Sequence, residues 1–212
     1  VAIGDLRGAQ EAAHALDASG TRCIGVTMDV ADEESVSKAV ATVSAQMGGV
    51  DILINNAALF STLVNRPFEE YSGDEWMNVM RVNTLGPFNC AKAVAPHMKA
   101  QQWGRIINVA STSALKGLSN MAHYVTSKGA VITFTRVLAR ELGAWHITAN
   151  ALAPGLTLSD QILKNDEHMA KFGEVIRKSR SIQRDALPAD LVGTVSFLAS
   201  DDAAFMTGQT LC

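Results

Sequence analysis

Three residues, Ser111, Tyr124 and Lys128, are of types that together can move a proton to or from an alcohol or carbonyl oxygen. Tyr124 and Lys128 are four residues apart, so on a helix the hydroxyl and the ammonium lie on one face. A nearby ammonium lowers the pKa of a phenol from about 10 toward the range in which general acid/base catalysis is effective. A serine hydroxyl beside them can donate a hydrogen bond to the developing oxyanion. Taken alone, the Tyr-x-x-x-Lys spacing also suits a solvated helix face.

The segments around these residues predict how they are positioned. An apolar run over residues 105–111 ends at Ser111, and an apolar periodic segment begins at Tyr124 and ends at Leu142. This pattern predicts a strand, a loop and a helix, with the serine at the end of the strand.

Further motifs along the chain give these three residues a context. In order they are Asp29-Val30, Asn55-Asn56-Ala57, Asn83, residues 104–108, residues 150–155 and residues 207–209. Together with Ser111, Tyr124 thirteen residues later, and Lys128, they make nearly the whole chain resemble a short-chain dehydrogenase/reductase. Ala58 departs from the family pattern, which has a glycine after Asn-Asn-Ala, and this puts the local backbone geometry in doubt rather than the fold.

The resemblance implies an NAD(P)-dependent oxidoreductase that interconverts a secondary alcohol and a ketone by direct hydride transfer, with no metal. Tyr124 would be the general acid/base, Lys128 would lower its pKa and bind the nicotinamide ribose, and Ser111 would polarise the substrate oxygen. Ser113 is a rival for that last role, and the spacing of thirteen favours Ser111. The carbonyl of Asn83 would hold a relay water; a buried asparagine satisfied by neighbouring backbone is the competing interpretation.

The order of the predicted elements indicates the fold class. Apolar runs alternate with helical segments, which predicts an α/β fold: a Rossmann-like, doubly wound parallel sheet with helices on both faces, in one domain over residues 1–212. In the resembling fold, the strand ending at Asp5 would be the second of the sheet. We therefore expect about 30 further residues upstream, carrying the first strand and its glycine-rich turn. That strand would lie between those ending at Asp5 and Asn55.

Side chains at strand ends are the candidates for dinucleotide binding, because the crevice of an open parallel sheet lies beyond its carboxyl edge. Asp5 would bind the adenosine ribose and repel a 2′-phosphate, which favours NAD over NADP, whereas Arg7 nearby favours NADP. Asp5 could also be a mere turn residue. The resemblance places Asp29 at the adenine; a helix cap is the alternative, although Asp32 is closer to the predicted helix start. The predicted cofactor residues are Asp5, Asp29, Val30, Asn55, Ala57, Tyr124, Lys128, Pro154, Gly155 and Thr157.

Substrate contacts are expected from Ser113, Leu115, Met121 and Leu156. Their mostly apolar character indicates an apolar body around the carbonyl, and the particular alcohol or ketone stays open. The segment from about 157 to 187 is polar with sparse apolar points and follows a strand end, which predicts a lid over the substrate.

Composition restricts the other function classes. A net charge of −3 gives no basic footprint for nucleic acid, and no apolar run reaches the roughly 18 residues of a transmembrane helix. Three cysteines without metal-like spacing indicate neither a zinc site nor a disulfide framework, which fits a reducing cytoplasm. Two long helices, predicted over residues 74–102 and 125–142, are apolar on almost every face. The resemblance implies a homotetramer or homodimer built partly from them.

Two alternatives belong to different function classes. A noncatalytic dinucleotide-binding or regulatory protein could keep the same fold, but all four catalytic residue types are present in register. A serine hydrolase could use Ser111 and His123, but the chain has neither a Gly-x-Ser-x-Gly elbow nor a placed acid.

Overall fold

The computed structural model describes residues 1–159, 162, 174 and 176–212, and its strands pair in parallel. The strands are β1 (Ala2–Asp5), β2 (Ile24–Thr27), β3 (Ile52–Asn55), β4 (Gly104–Val109), β5 (Ile147–Leu152) and β6 (Thr210–Leu211). The α-helices are α1 (Ala9–Leu16), α2 (Glu33–Met47), α3 (Gly73–Met80), α4 (Gly86–Gln101), α5 (Thr112–Lys116), α6 (Ala122–Leu142) and α7 (Ala189–Ala199). The predicted α/β class, a Rossmann-like parallel sheet with flanking helices, is confirmed.

The strands form two parallel ladders. β1 pairs with β2, whereas β3, β4, β5 and β6 pair in that order. Within the described residues, β1 and β3 each keep one edge without a strand partner. The further strand expected between the strands that end at Asp5 and Asn55 stays a prediction.

The centre of the core is formed by β4 and β5, which are buried along almost their whole length. Because successive side chains of a strand point to opposite faces, the two isoleucines of β4 contact different helices. Ile106 packs in a cluster with Met98 of α4 and Leu138 of α6, and Ile107 packs with Leu198 of α7. Covering on both faces explains why both of these neighbouring isoleucines are buried.

The first helix, α1, ends at Leu16, directly before a polar turn. The Asp17 carboxylate accepts hydrogen bonds from the backbone N–H groups of Ser19, Arg22 and Cys23, and this bonding folds the chain into a turn that a helix cannot share.

The long helix predicted over residues 74–102 is a continuous helical run with a defect. Its hydrogen-bond pattern is α-helical in α3, π-helical over Arg81–Leu85, and α-helical again in α4. Ser72 and Glu75 form a capping box at its start, which ties the first turn to the preceding loop. A π-helical turn inserts extra backbone into one turn and is frequent at functional sites.

Asp32, rather than Asp29, caps α2, as predicted. Its carboxylate accepts hydrogen bonds from the backbone N–H groups of Glu34 and Ser35. Cys23 and Cys90 are buried, unbridged thiols. Of the helices in the described part of the chain, none combines the length and the apolar character needed to cross a bilayer.

Candidate active site

Ser111 lies directly beyond β4 and acts as the N-cap of α5, a short helix where the sequence predicted a loop. Its hydroxyl accepts hydrogen bonds from the backbone N–H of Ser113 at 3.2 Å and from the Ser113 hydroxyl at 2.9 Å. The Ser111 side chain is also near enough to the Tyr124 phenol to lower its pKa. The two rival serines therefore belong to one hydroxyl chain, with Ser111 next to the tyrosine.

Tyr124 lies in the first turn of α6 with a side chain that is only 7% exposed. Burial raises the pKa of Tyr124 above its usual value of 10.0, because a phenolate would lose its hydration, and the Ser111 side chain acts in the opposite direction. The expectation that Lys128 lowers this pKa stays a prediction. The Phe60 ring packs against the phenol, with centroids 4.9 Å apart, and adds to the desolvation.

Lys128 is one turn further along α6 and is 4% exposed. Its ammonium donates a hydrogen bond to the carbonyl of Val109 at 2.7 Å, and its Nζ lies 5.9 Å from the centroid of the Tyr124 ring. Burial lowers the pKa of Lys128 from 10.5 to about 8. The amine is thus on the predicted helix face, and its hydrogen-bond partner is the carbonyl at the end of β4.

Asn83 lies in the π-helical turn and is 1% exposed. Its Oδ1 accepts the backbone N–H of Leu59 at 2.8 Å, while its Nδ2 donates to the Leu59 carbonyl at 3.2 Å and to Ser127 Oγ at 3.0 Å. The Ser127 hydroxyl donates to the carbonyl of Tyr124 at 2.7 Å. The Asn83 side chain is therefore fully bonded, and it joins the loop after β3 to the helix that carries the phenol.

Asn55 has a different place from the one expected of a cofactor ligand. Its side chain is buried, and its Nδ2 donates to Asn108 Oδ1 at 2.8 Å and to the Pro87 carbonyl at 3.4 Å. The side-chain amide of Asn108 continues the chain to Thr135 on α6. The Asn55 amide thus joins β3 to β4 and α4, whereas Ala57, two residues on, is exposed beyond the strand end.

The adenosine-side candidates lie after β1 and β2. Asp5 ends β1, and its carboxylate accepts a hydrogen bond from the backbone N–H of Arg7 at 3.0 Å. Asp5 therefore also acts as a turn residue. Asp29 accepts the N–H of Ala31 at 2.9 Å. The Val30 carbonyl accepts from Asn89 on α4 at 2.9 Å, which anchors this loop to the helix behind the sheet.

The segment after β5 packs against the start of α5. The Pro154 carbonyl accepts from the Thr112 backbone N–H at 3.0 Å and from its hydroxyl at 3.3 Å. The Thr157 hydroxyl donates to the Gly155 carbonyl at 3.2 Å, and Thr157 forms an isolated parallel bridge with Ala186. Part of the predicted lid over residues 157–187, namely residues 160–161, 163–173 and 175, lies outside the described residues.

A small cavity opens beside the catalytic candidates. It is lined by Phe60, Ser61, Leu63, Asn65, Met121, Leu156 and Ile162. Two predicted substrate residues, Met121 and Leu156, line it, but Leu115 is 58% exposed and does not. The loop residues Phe60 and Leu63 were missed; their only signal was their apolar character, three and six residues after the Asn-Asn-Ala motif at a strand end. In the described part of the chain, no group of three or more His, Cys, Asp or Glu side chains could hold a metal ion.

A family model described as enoyl-(acyl carrier protein) reductase matches residues 1–212. The chain belongs to the short-chain dehydrogenase/reductase family. Nodulation protein G of Azospirillum brasilense is 37% identical over 183 residues, covering 86% of this chain and 72% of that protein. The 3-oxoacyl-(acyl-carrier-protein) reductase FabG of Staphylococcus aureus is 34% identical over 209 residues, covering 98% and 82%.

Solved structures of the same fold superpose closely on this short-chain dehydrogenase/reductase. NAD⁺-bound xylitol dehydrogenase matches with a TM-score of 0.91 and 30% identity over 99% of this chain and 86% of the other. A gluconate 5-dehydrogenase from Burkholderia cenocepacia, in complex with NADP and tartrate, matches with a TM-score of 0.90 and 32% identity over 99% and 82%. This short-chain dehydrogenase/reductase is accordingly an oxidoreductase that acts on CH–OH groups and uses NAD or NADP.

Proposed function

We propose that this enzyme interconverts a secondary alcohol and a ketone, with Tyr124 as the general acid/base. The observation that carries the proposal is the buried phenol of Tyr124, which lies near Ser111 at the carboxyl end of β4 and packs against Phe60, a wall of the cavity. A site that excludes water strengthens the hydrogen bonds made to a developing oxyanion. The noncatalytic alternative has no comparable observation in its favour.

The carboxyl edge of the sheet offers space for the dinucleotide. β3, β4 and β5 end in register, with Asn55 opposite Asn108 and Val109 opposite Leu152, so the segments that follow leave the sheet at one edge. At Gly155 an added Cβ would meet no described atom closer than Thr112 Oγ1 at 3.9 Å, so the backbone there is open to a ligand. We assign this edge to the nicotinamide half, with Pro154, Gly155 and Thr157 as its contacts.

The proton and the hydride take separate routes. When bound, the nicotinamide supplies the hydride to the carbonyl carbon during reduction, or takes it back during oxidation. Tyr124 gives its phenolic proton to the carbonyl oxygen in reduction and removes the alcohol proton in oxidation. Ser111 donates a hydrogen bond to that same oxygen, and Lys128 binds ribose hydroxyls. The carbonyl of Asn83 holds a water through which the phenol recovers its proton.

We further propose NAD rather than NADP as the cofactor, on the position of Asp5 at the end of β1. A carboxylate there accepts from ribose hydroxyls and repels a 2′-phosphate. The measurement is the ratio of kcat/KM for NADH and NADPH with one ketone. A preference for NADPH would reject the role given to Asp5.

The cavity walls support a ketone with an apolar body. Phe60, Leu63, Met121, Leu156 and Ile162 are apolar, and Ser61 and Asn65 are the polar members of the lining. We propose a substrate with an alicyclic, aryl or acyl group next to its carbonyl. A panel of a cyclic ketone, an aryl ketone, a 3-oxoacyl thioester and a ketose tests this, and turnover of the ketose alone would contradict it.

The decisive experiment on the chemistry is Tyr124→Phe. We expect turnover with the best ketone to fall by about 10²- to 10⁴-fold, the usual contribution of general acid/base catalysis. NADH binding, measured by quenching of the tryptophan fluorescence, should stay close to that of the unmodified protein. Unchanged turnover would reject the role of Tyr124, and NADH binding without turnover in the unmodified protein would favour the noncatalytic alternative.

We also propose that the protein self-associates through α4 and α6. A groove between them is lined by Thr84, Leu85, Phe88, Ala130, Val131 and Phe134. Leu85 and Phe88 are 40% and 43% exposed there, which is a large apolar surface to leave in water. Light scattering should give the mass of a dimer or tetramer, and Phe88→Glu should lower it; a monomer before substitution would contradict the proposal.

A further inference from the structure

The hydroxyl of Tyr71 joins two loops that border the cavity. It donates to the carbonyl of Asn120 at 2.8 Å and reaches the carbonyl of Val64 at 3.1 Å. The backbone N–H of Arg66 points at the same oxygen at 3.4 Å and at the Asn120 carbonyl at 3.1 Å. Val64 and Arg66 flank Asn65, and Asn120 precedes Met121, so both connected loops carry cavity-lining residues.

The phenol ring of Tyr71 is itself held by two ring contacts. One face stacks on the His123 ring, with centroids 4.1 Å apart and an interplanar angle of 33°. The guanidinium of Arg66 lies over the ring at 4.9 Å and pairs with Glu75 of the capping box at the start of α3. Packing of this kind removes rotamer freedom, so the hydroxyl is directed at the two loops rather than at solvent.

His123 connects this arrangement to the catalytic helix. It is 2% exposed, and its Nδ1 accepts the backbone N–H of Tyr124 at 2.9 Å, one of the donors that a helix leaves unpaired in its first turn. The ring that supports Tyr71 therefore also fixes the first turn of α6. The loops at the cavity and the helix turn that carries Tyr124 are therefore packed together through Tyr71 and His123.

Asn120 needs such support. Its φ is 63°, a left-handed conformation that costs a side-chain-bearing residue free energy relative to the ordinary backbone regions. Two hydrogen bonds converge on its carbonyl, from the Tyr71 hydroxyl and the Arg66 N–H. We expect that loss of one of them lets Asn120 relax and that Met121, the next residue, moves with it.

We propose that Tyr71 is a positioning residue for the ketone: its hydroxyl sets the separation between the loop over residues 60–66 and Met121. This rests on the proposed function, because it assumes that the cavity receives the substrate. Tyr71 touches neither the assigned catalytic groups nor the strand ends assigned to the dinucleotide. It acts on substrate binding through the loops alone.

The test is Tyr71→Phe, which keeps the stacked ring and removes only the hydroxyl. We expect the KM for the ketone to rise by about fivefold, the equivalent of one lost hydrogen bond, with kcat and the KM for NADH changed by less than about twofold. The matched control is Thr42→Val, which removes a hydroxyl bonded to the Lys38 carbonyl on α2, far from the cavity loops. An unchanged ketone KM, or an equal change in the KM for NADH, would overturn the proposal.

Hydrogen exchange separates this proposal from the proposed function. In Tyr71→Phe, peptides covering residues 62–66 and 118–122 should exchange faster, while peptides from β4 and β5 keep their protection. If the unmodified protein reduces no ketone, the proposed function fails, and this measurement still decides whether Tyr71 joins the loops. Equal exchange rates of these peptides in the variant and the unmodified protein would show that the Tyr71 hydroxyl does not hold the two loops together.

Discussion

Replacing Lys128 by Met should change how the stability of the protein depends on pH. The ammonium is buried, and its pKa is about 8 instead of 10.5. Between these values the unfolded chain holds a proton that the folded chain has lost, so the free energy of unfolding rises with pH. Met keeps the length and apolar stem of the side chain but cannot titrate. The pH-dependent part of the difference between the two proteins therefore belongs to this one amine.

The magnitude follows from the two pKa values. Between pH 7 and pH 9, the unmodified protein should gain about 1.4 kcal/mol in free energy of unfolding relative to Lys128→Met. At pH 7 the variant escapes the desolvation cost of the charge but leaves the Val109 carbonyl without its donor, which costs about 1 to 3 kcal/mol. Because these two effects oppose each other at any single pH, the change between the two pH values is the quantity to measure.

Urea unfolding followed by tryptophan fluorescence at pH 7, 8 and 9 provides the assay. The control is Lys38→Met, whose ammonium is on the surface of α2 in a pair with Glu34. Its difference from the unmodified protein should be the same at the three pH values. If the difference in free energy of unfolding between Lys128→Met and the unmodified protein is also the same at the three pH values, the Lys128 amine is not held in a desolvated site.

Three further predictions follow from single contacts. Asp5→Ser should shift the ratio of kcat/KM toward NADPH by about tenfold, because a repulsive carboxylate is removed; an unchanged ratio would exclude Asp5 from cofactor selection. Asn83→Leu should lower the free energy of unfolding by about 3 kcal/mol in urea, because it leaves buried partners on two elements unpaired, and a loss below about 1 kcal/mol would contradict that bonding. Gly25→Ala should lower the free energy of unfolding by about 2 kcal/mol, because the new Cβ would lie 2.3 Å from the Ala9 carbonyl oxygen. Gly193→Ala, whose new Cβ would meet no described atom within 4 Å, should instead stabilise α7 by about 0.5 to 1 kcal/mol in the same urea experiment. Equal effects of the two substitutions would refute this packing.

The parts of the site that depend on regular spacing could be predicted from the sequence. Residues four apart on a helix share a face, so Tyr124 and Lys128 lie on one side of α6, and the polar residue after an apolar run places Ser111 at the end of β4. Asp32 could be identified as the cap of α2 because it directly precedes the first helical residues.

The parts of the site that depend on tertiary contacts could not be predicted from the sequence. Helical spacing determines the position of the Lys128 backbone, but the position of its ammonium depends on which acceptor the flexible side chain finds. Here that acceptor is the Val109 carbonyl. The burial that raises the pKa of Tyr124 could not be predicted either, because it depends on tertiary packing such as that of the Phe60 ring. Phe60 and Tyr71 belong to a loop and a loop end without periodicity, so nothing in their spacing connects them with a tyrosine and a histidine far along the chain.

The loop after β3 is anchored at two points, by the Asn83 amide at Leu59 and by the Tyr71 hydroxyl at Val64. Between those points lies Leu63, a wall of the cavity, with Thr62 exposed beside it. Engineering of the enzyme toward bulkier or more polar ketones would therefore best start with combinatorial libraries at these two positions. Randomising the anchors themselves would mix changes in selectivity with losses in folding yield.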